Sequence, residues 1–409
     1  MKKTNNYIGR LKKRINNLPV IGRIYEVLFQ IKKQIKIQRL RYGSDLKTLR
    51  KQNPSLIIVI NDHKELMMIN IAKKLQIPNL TLGWSSSQPP EHFAKKYKKL
   101  FTNNIFFLFL LKAIVPKSIY FYKGNYVSVI DPIISLSYLI NGIRFNTPGK
   151  KGMLTDFITA PSNYEKYKML KYGLPSSKIR VNGDNQNDKL MNHRSNNQEI
   201  REKLKSKFKI NKNDLVVLIG LPPLSDNILL SEKEYQSSII RLLKALLPLG
   251  NNVIFLNKIH PKDNIVDFKF IKYISNKIRL IDDYPIRDVL SISNLFIVNI
   301  SSAIIDAIAL DIPVITYNLK GNELIDSEMY SAYHIEKLGV QVFDDDSLLQ
   351  KAYELLFDKN IINKRIVYQK NNIKPYAVLD GKCIDRNIET IYDILNKKDK
   401  TNSGSSYLC

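Results

Sequence analysis

From residue 55 onward, short apolar runs alternate with stretches whose apolar positions recur at helical spacing. That alternation predicts parallel sheets built from strand–helix–strand units, since a parallel neighbour needs a crossover long enough to hold a helix. In the first half the predicted strands are Leu56–Ile60, Leu80–Trp84, Phe157–Ala160 and Lys178–Gly183. Between the first two, Leu66, Ile69, Ile71 and Leu75 share a helical face across Lys64–Leu75, and Ile77-Pro78 stops that helix. Ahead of them, Val20–Arg50 carries Ile24, Val27, Leu28, Ile31 and Ile35 at helical spacing among basic residues. It predicts a long basic amphipathic helix and leaves the first half short of strands at its start.

The second half is more regular. Leu215–Ile219, Asn252–Asn257, Ile278–Ile281, Leu295–Val298 and Pro313–Thr316 are nearly unbroken apolar runs, the pattern of strands covered on both faces. Helices are predicted over Tyr235–Leu247, Pro285–Ser291 and Ser302–Leu310. Asp344-Asp345-Asp346 reads as the acidic start of a helix through Leu348–Phe357. A last helix, Ile384–Asn396, has apolar Ile384, Ile388, Ile391 and Leu395 and could pack back across the cleft. The fold class that follows is α/β: two Rossmann-like domains facing a cleft, with a basic N-terminal helical extension. Residues 1–54 form the extension, 55–184 the N-terminal domain, 185–200 a polar linker, 201–396 the C-terminal domain, and 397–409 a tail expected to be disordered.

Charge changes the picture. Of 409 residues, 64 are Lys or Arg and 37 Asp or Glu, a net charge of +27. Residues 1–51 alone hold 15 basic and 2 acidic side chains. Such a surface suits a polyanion, either nucleic acid or an anionic lipid surface. There is no helix-turn-helix, zinc-finger or RNA-recognition pattern, and the aromatic residues do not interleave with a basic strip, which argues against nucleic acid. The chain is also rich in Asn, Ile and Lys, so compositional bias is a second reading of the lysine excess. The apolar run Ile105–Val115 is shorter than the ~20 residues a membrane span needs and is interrupted by Lys112. Tyr126–Ile143 is broken by Asp131-Pro132. Both suit a core helix or a membrane interface rather than a span. No secretory signal is evident, because Leu18–Gln30 is broken by Pro19, Gly22, Arg23 and Glu26. Two cysteines, Cys383 and Cys409, exclude a disulfide framework and favour a reducing compartment. The location expected is cytoplasmic, peripheral at the inner face of the cell membrane.

Three features fall at the carboxyl ends of second-half strands, where open α/β sheets bind ligands. The first is Asn257-Lys258-Ile259-His260-Pro261-Lys262. Pro261 stops the strand, so His260 sits in a loop with Lys258 and Lys262, and imidazole plus ammonium suits a phosphate leaving group. An exposed loop histidine beside solvated lysines is the plainer alternative. The second is Asn299-Ile300-Ser301-Ser302, which opens a helix. Hydroxyls and unpaired N–H groups there could hold an anion, or Ser could simply cap the helix. The third is Asp380-Gly381-Lys382, before the last helix, weak alone.

In order along the chain, Lys-x-His-Pro, then Ser-Ser-Ala-x-x-Asp-Ala-x-Ala-Leu-x-x-Pro-Val-Ile at 301–315, then Asp-Gly-Lys at 380–382, resemble the nucleotide-binding half of GT-B glycosyltransferases and their relatives. The resemblance is to the group with bacterial surface-polysaccharide transferases, CDP-glycerol polymerising enzymes, sialyl- and Kdo-transferases and UDP-GlcNAc 2-epimerases. The segments Asp156–Ser162 and Tyr172–Gly183, with Asp188-Lys-Leu, resemble the approach to the hinge in such enzymes. The resemblance implies that His260-Pro261 contacts the donor phosphate and that Ser301 and Ser302 bind the same phosphate. It favours a CMP- or CDP-linked donor, with a UDP-linked donor possible, and no other cofactor. Two departures stand out. The opening strand and Gly-rich turn of a 2-epimerase are missing, and Met1–Asn104 lacks the paired acids followed by Gly that supply the base in several sialyltransferase families.

For the base, Asp62 and His63 follow the strand Leu56–Ile60 and stand at the sheet's carboxyl edge, although Asp62 could instead cap the next helix. His92, in the Pro-rich loop after Leu80–Trp84, is a second cleft candidate, with Asp380 and Lys382. No residue cluster has metal-ligand spacing, and metal is not expected. The function expected is a glycosyltransferase moving a sugar from a nucleotide-activated donor to a lipid-linked or oligosaccharide acceptor of a surface polysaccharide such as capsule, O-antigen or lipooligosaccharide. The alternatives are a 2-epimerase and a non-enzymatic basic protein that binds membrane or nucleic acid.

Overall fold

The computed structural model describes residues 21–62, 65–83, 112–114, 116, 119–122, 125–128, 130–145, 152–196, 198–223, 231–299, 301–317 and 335–404. The first half runs α1 (Ile21–Gln52), β1 (Ile57–Val59), α2 (Leu66–Lys74), β2 (Asn79–Thr81), an antiparallel hairpin of β3 (Ile119–Tyr122) and β4 (Asn125–Ser128), α3 (Pro132–Ile140), β5 (Phe157–Ala160), α4 (Asn163–Lys171) and β6 (Ile179–Val181). Its parallel sheet has the order β1-β2-β5-β6. The long basic helix expected at Val20–Arg50 is α1, which packs on α2 and α3. Asp131-Pro132, which interrupts the second apolar stretch, is a helix start: Asp131 accepts N–H bonds from Ile133 and Ile134, and Pro132 supplies the preset first turn. Among the described residues no helix is long and apolar enough to cross a membrane.

The second half runs α5 (Asn185–Asn196), α6 (Gln198–Lys207), β7 (Leu215–Gly220), α7 (Glu232–Leu246), β8 (Val253–Lys258), β9 (Ile278–Ile281), α8 (Ile286–Leu290), β10 (Leu295–Val298), α9 (Ala303–Ala309), β11 (Val314–Tyr317), β12 (Val340–Val342), α10 (Asp345–Phe357), α11 (Lys359–Asn372) and α12 (Cys383–Gly404). The six parallel strands have the order β12-β11-β10-β7-β8-β9. The first three extend one way from β7 and the last two the other, so the order reverses between β7 and β10. Alternate residues of β7 enter opposite cores: Val217 and Ile219 pack with Tyr235 and Phe255, while Val216 and Leu218 pack with Phe296 and Ile304. Burial on both faces explains why these strands read as continuous apolar runs rather than alternating ones.

The two halves meet where the chain crosses between them. Gly183 takes a left-handed φ of +87°, and an added Cβ would run into the sulfur of Cys383. The Asn182 side chain donates to Arg386 O, Asn387 Oδ1 (2.8 Å) and Thr390 Oγ1 (2.9 Å). Asp188 accepts the backbone N–H groups of Cys383 (3.0 Å) and Ile384 (2.8 Å), capping α12. Tyr164 packs against Tyr376. The last helix therefore returns to the first half's crossing.

The polar stretch 185–200, expected as the linker, is helical: it forms α5 and the start of α6, because Asp184 accepts the Gln186 N–H and Asn187, Asp188 and Leu190 are buried. Two expectations need correction. Residues 397–404, expected to be disordered, extend α12, where each added residue closes another helical bond. The second sheet has six strands rather than five, with β12 at its edge.

Candidate functional site

Strand-order reversal leaves a crevice at the carboxyl edge of a doubly wound sheet, because crossovers diverge to either side of it. Here the edge residues Gly220 of β7 and Val298 of β10 are paired in register, with Lys258 of β8 on the other side of Gly220. A cleft of about 430 Å³ opens above them, walled by Gly220–Pro223, Lys258–Pro261, Asp282–Ile286, Val298, Asn299 and Ser301–Ala303, with Asp306. Gly220 lets β7 lie close to β10 at this edge, since a Cβ there would sit 3.0 Å from Val298 Cγ2 and 3.2 Å from the buried Phe296 ring.

Lys258, His260, Pro261, Ser301 and Ser302 all line this one cleft, although some forty residues separate the two motifs in the chain. The Lys258 ammonium is buried and donates to Ile259 O and Asp282 O, both at 3.1 Å. Burial lowers its pKa, partly offset by Asp282 and Asp283. Those two bonds tie the ends of β8 and β9 together and leave one of three N–H groups for a ligand. His260 is half-buried, and its Nδ1 accepts the Lys262 N–H at 3.2 Å. In the neutral ring the proton then lies on Nε2, which makes that edge a donor.

The two serines divide their work. Ser301 Oγ accepts the Ala303 N–H at 3.2 Å, so Ser301 does the capping. Ser302 occupies the N-cap position with helical angles and makes no side-chain cap bond. Helix α9 has only 7 residues, so its macrodipole is small and the hydroxyls are the main donors it brings. Two wall groups escaped the sequence reading. Asp306 sits in the Ser-Ser motif and is buried against Arg287 of α8, Nε to Oδ2 at 3.2 Å. Burial raises its pKa, and the guanidinium pulls it back. Tyr284 stands under the Lys207 ammonium, 4.5 Å from its ring centroid. A carboxylate one turn into a helix that opens at a strand end was the available signal for Asp306.

The other candidates lie elsewhere. Asp62 is buried, and its Oδ2 accepts the Gly152 N–H at 2.8 Å, so it holds a turn of φ +74° instead of capping α2, whose N-cap is Glu65. His63 and His92 lie outside the described residues. Asp380 and Lys382 are not at the donor-half cleft but at the crossing. Asp380 forms a two-pronged ion pair with Arg386, 2.8 and 2.9 Å, which holds its carboxyl down at about 2. Asp380 lies near Asp188 and Cys383, but these groups are engaged: Asp188 caps α12, and burial pushes the Cys383 thiol up to about 12.

Two parallel sheets, a reversal-point cleft and a carboxyl-edge His-Pro loop define a GT-B-like α/β protein. A family model described as CDP-glycerol:poly(glycerophosphate) glycerophosphotransferase matches residues 149–393, which is more than half of the sequence. The chain belongs to that family, a group of glycosyltransferase-type enzymes that build cell-surface polymers from nucleotide-activated donors. No curated protein sequence matches it. Among solved structures it is similar to MnaA of S. aureus solved with UDP (14% identity, 88% of this chain and 79% of that one, TM-score 0.54). It is also similar to UDP-GlcNAc 2-epimerase from Neisseria meningitidis bound to UDP-GlcNAc (16%, 89% and 82%, 0.52). A further match is the wall teichoic acid polymerase TagF (16%, 60% and 60%, 0.44). At these identities the likeness to the first two is one of fold.

Proposed function

We propose that this chain transfers a group from a cytidine-nucleotide donor, CDP-glycerol or a CMP-linked sugar, to a lipid-linked or oligosaccharide acceptor. The observation that carries the reading is the convergence of Lys258, His260, Ser301 and Ser302 on the reversal-point cleft, inside the segment that matches the family. Both donors release CMP, so one phosphate site serves either. With CDP-glycerol, an acceptor hydroxyl attacks the β-phosphorus and the bond to the bridging oxygen breaks. With a CMP-sugar, the hydroxyl attacks the anomeric carbon. In each case negative charge grows on the CMP phosphate. The Nε2–H of His260, the remaining N–H of Lys258 and the hydroxyl of Ser302 are the donors that would meet it, and donors fixed before the reaction cost little reorganisation. The acceptor hydroxyl must lose a proton. Asp62 and His63 are the proposed bases; Asp62 Oδ2 accepts the Gly152 N–H.

We also read α1 as a membrane contact. It exposes Leu28, Phe29, Ile37 and Leu40 among Lys32, Lys33, Lys36, Arg39 and Arg41, and packs against α3, which exposes Leu139 and Ile140. Each basic residue near an anionic leaflet contributes roughly 1 kcal/mol. This reading keeps the protein peripheral at the inner membrane face, where a lipid-linked acceptor would be. The test is CMP release from CDP-glycerol and from CMP-linked sugars, assayed with membranes as the acceptor source. Release from one donor that depends on added membranes supports the reading. Release from none, alongside epimerisation of UDP-GlcNAc, would replace it.

A further inference from the structure

Arg287 touches both the wall of the cleft and the crossing between the halves. Its Nε pairs with Asp306, which lines the cleft, at 3.2 Å. Its Nη1 donates to the Gln186 backbone oxygen and to Gln186 Oε1, both at 3.1 Å. Gln186 is in the first turn of α5, three residues after Gly183, which turns the chain out of the first sheet after its last strand ends at Val181. Helix α9, which carries Asp306, packs directly on α5. Asp184, whose carboxyl accepts the Gln186 N–H, is half-buried; desolvation raises its pKa, and the Gln186 N–H bond and then the Arg287 charge offset this. One guanidinium thus faces two acids, the buried Asp306 on the cleft wall and the half-buried Asp184 at the crossing.

On this geometry we propose that Arg287 is a positioning residue that couples occupancy of the cleft to the arrangement of the two halves. The proposal rests on the reading of the cleft as the donor site. The guanidinium is planar and its donors diverge at fixed angles, so it holds Asp306 and the first turn of α5 in one relative position. A donor that orders α9 thereby orders the α5 turn, and the first half, which would bring the acceptor, is held at a set angle to the donor. The coupling needs both arms. A lysine keeps the charge beside Asp306 but offers no fork to reach Gln186 at the same time.

The test is hydrogen–deuterium exchange over 183–190 and 303–309, with and without CMP, in the wild type and in Arg287→Lys and Arg287→Gln. In the wild type, CMP is expected to slow exchange in both segments. In Arg287→Lys, the 183–190 segment should exchange at least several-fold faster, and CMP should slow only 303–309. Transfer by Arg287→Lys should lose at least tenfold in kcat, with the donor KM changed by less than about threefold, a split that a purely stabilising role would not produce. Exchange at 183–190 equal to wild type in both variants would overturn the proposal, as would CMP protection of that segment persisting in Arg287→Lys. If CMP protects neither segment in the wild type while both variants loosen 183–190 and 303–309 together, the donor reading fails and the mechanical tie stands.

Discussion

Replacing Asp188 by alanine removes the cap of the last helix and tests how the two halves are joined. The carboxylate is buried and accepts two backbone N–H groups, from Cys383 at 3.0 Å and Ile384 at 2.8 Å. Those are first-turn donors of α12 with no partner inside the helix. Hydrogen bonds to a charged group contribute roughly 1.5–3 kcal/mol each, and Cys383 is fully buried, so water cannot easily take the carboxylate's place. The loss should be about 3–5 kcal/mol in the local stability of α12. At about 1.4 kcal/mol per factor of ten, amide exchange over 383–390 should quicken by roughly a hundred- to several-thousand-fold. Asp188→Asn keeps one acceptor oxygen and should lose about half of that free energy. Exchange measured by mass spectrometry on both variants, with the β7–β8 peptides as internal reference, reads this directly. An Asp188→Ala change of less than about threefold would refute the view that this carboxylate secures the return of α12.

Gly183→Ala forces a Cβ into Cys383 at φ +87° and should lower stability by about 1–3 kcal/mol, read as a fall in Tm. His260→Ala should weaken CMP binding by roughly 10- to 100-fold, from the loss of one donor to a charged phosphate, with Tm unchanged to within about 2 °C. Arg386 depresses the Asp380 carboxyl to about 2, so the pair's contribution is complete above the unfolded carboxylate's pKa of about 4 and is lost as pH falls toward 2. The Tm difference between wild type and Asp380→Asn should therefore be flat above pH 5 and shrink between pH 4 and 2; a difference that grew on acidification would contradict the assignment.

The second sheet was readable because both of its faces are covered. Leu295–Val298 and Ile278–Ile281 were predicted to the residue, Leu215–Ile219 runs one residue further to Gly220, and the other two predicted strands are displaced by one position. Val340–Val342 escaped because its three residues, one polar, carry too little pattern to register as a strand. In the first half, the β3–β4 hairpin was hidden because Tyr126–Ser128 merged with α3 into one apolar stretch. The polar run after Asp184 looked like a linker because its buried groups, Asn187 and Asp188, are satisfied by partners almost two hundred residues away, Val378 and the start of α12. The same distance in sequence concealed the bond from Arg386 to Asn182 O, which brings the Asp380–Arg386 pair to the crossing. Lys258, His260, Ser301 and Ser302 could be found because each lies at or just after a strand end, and strand ends of one parallel sheet share an edge. Nothing local in the sequence could say that Arg287 reaches both Asp306 and Gln186.

The central claim is that the reversal-point cleft holds the donor's cytidine nucleotide. Calorimetric titration of CMP, CDP, UDP and GDP into the wild type and His260→Ala tests it most directly. The account predicts saturable binding of a cytidine nucleotide in preference to UDP and GDP, weakened at least tenfold in His260→Ala. Equal affinity in the two proteins, or no binding of any of the four nucleotides, would contradict it.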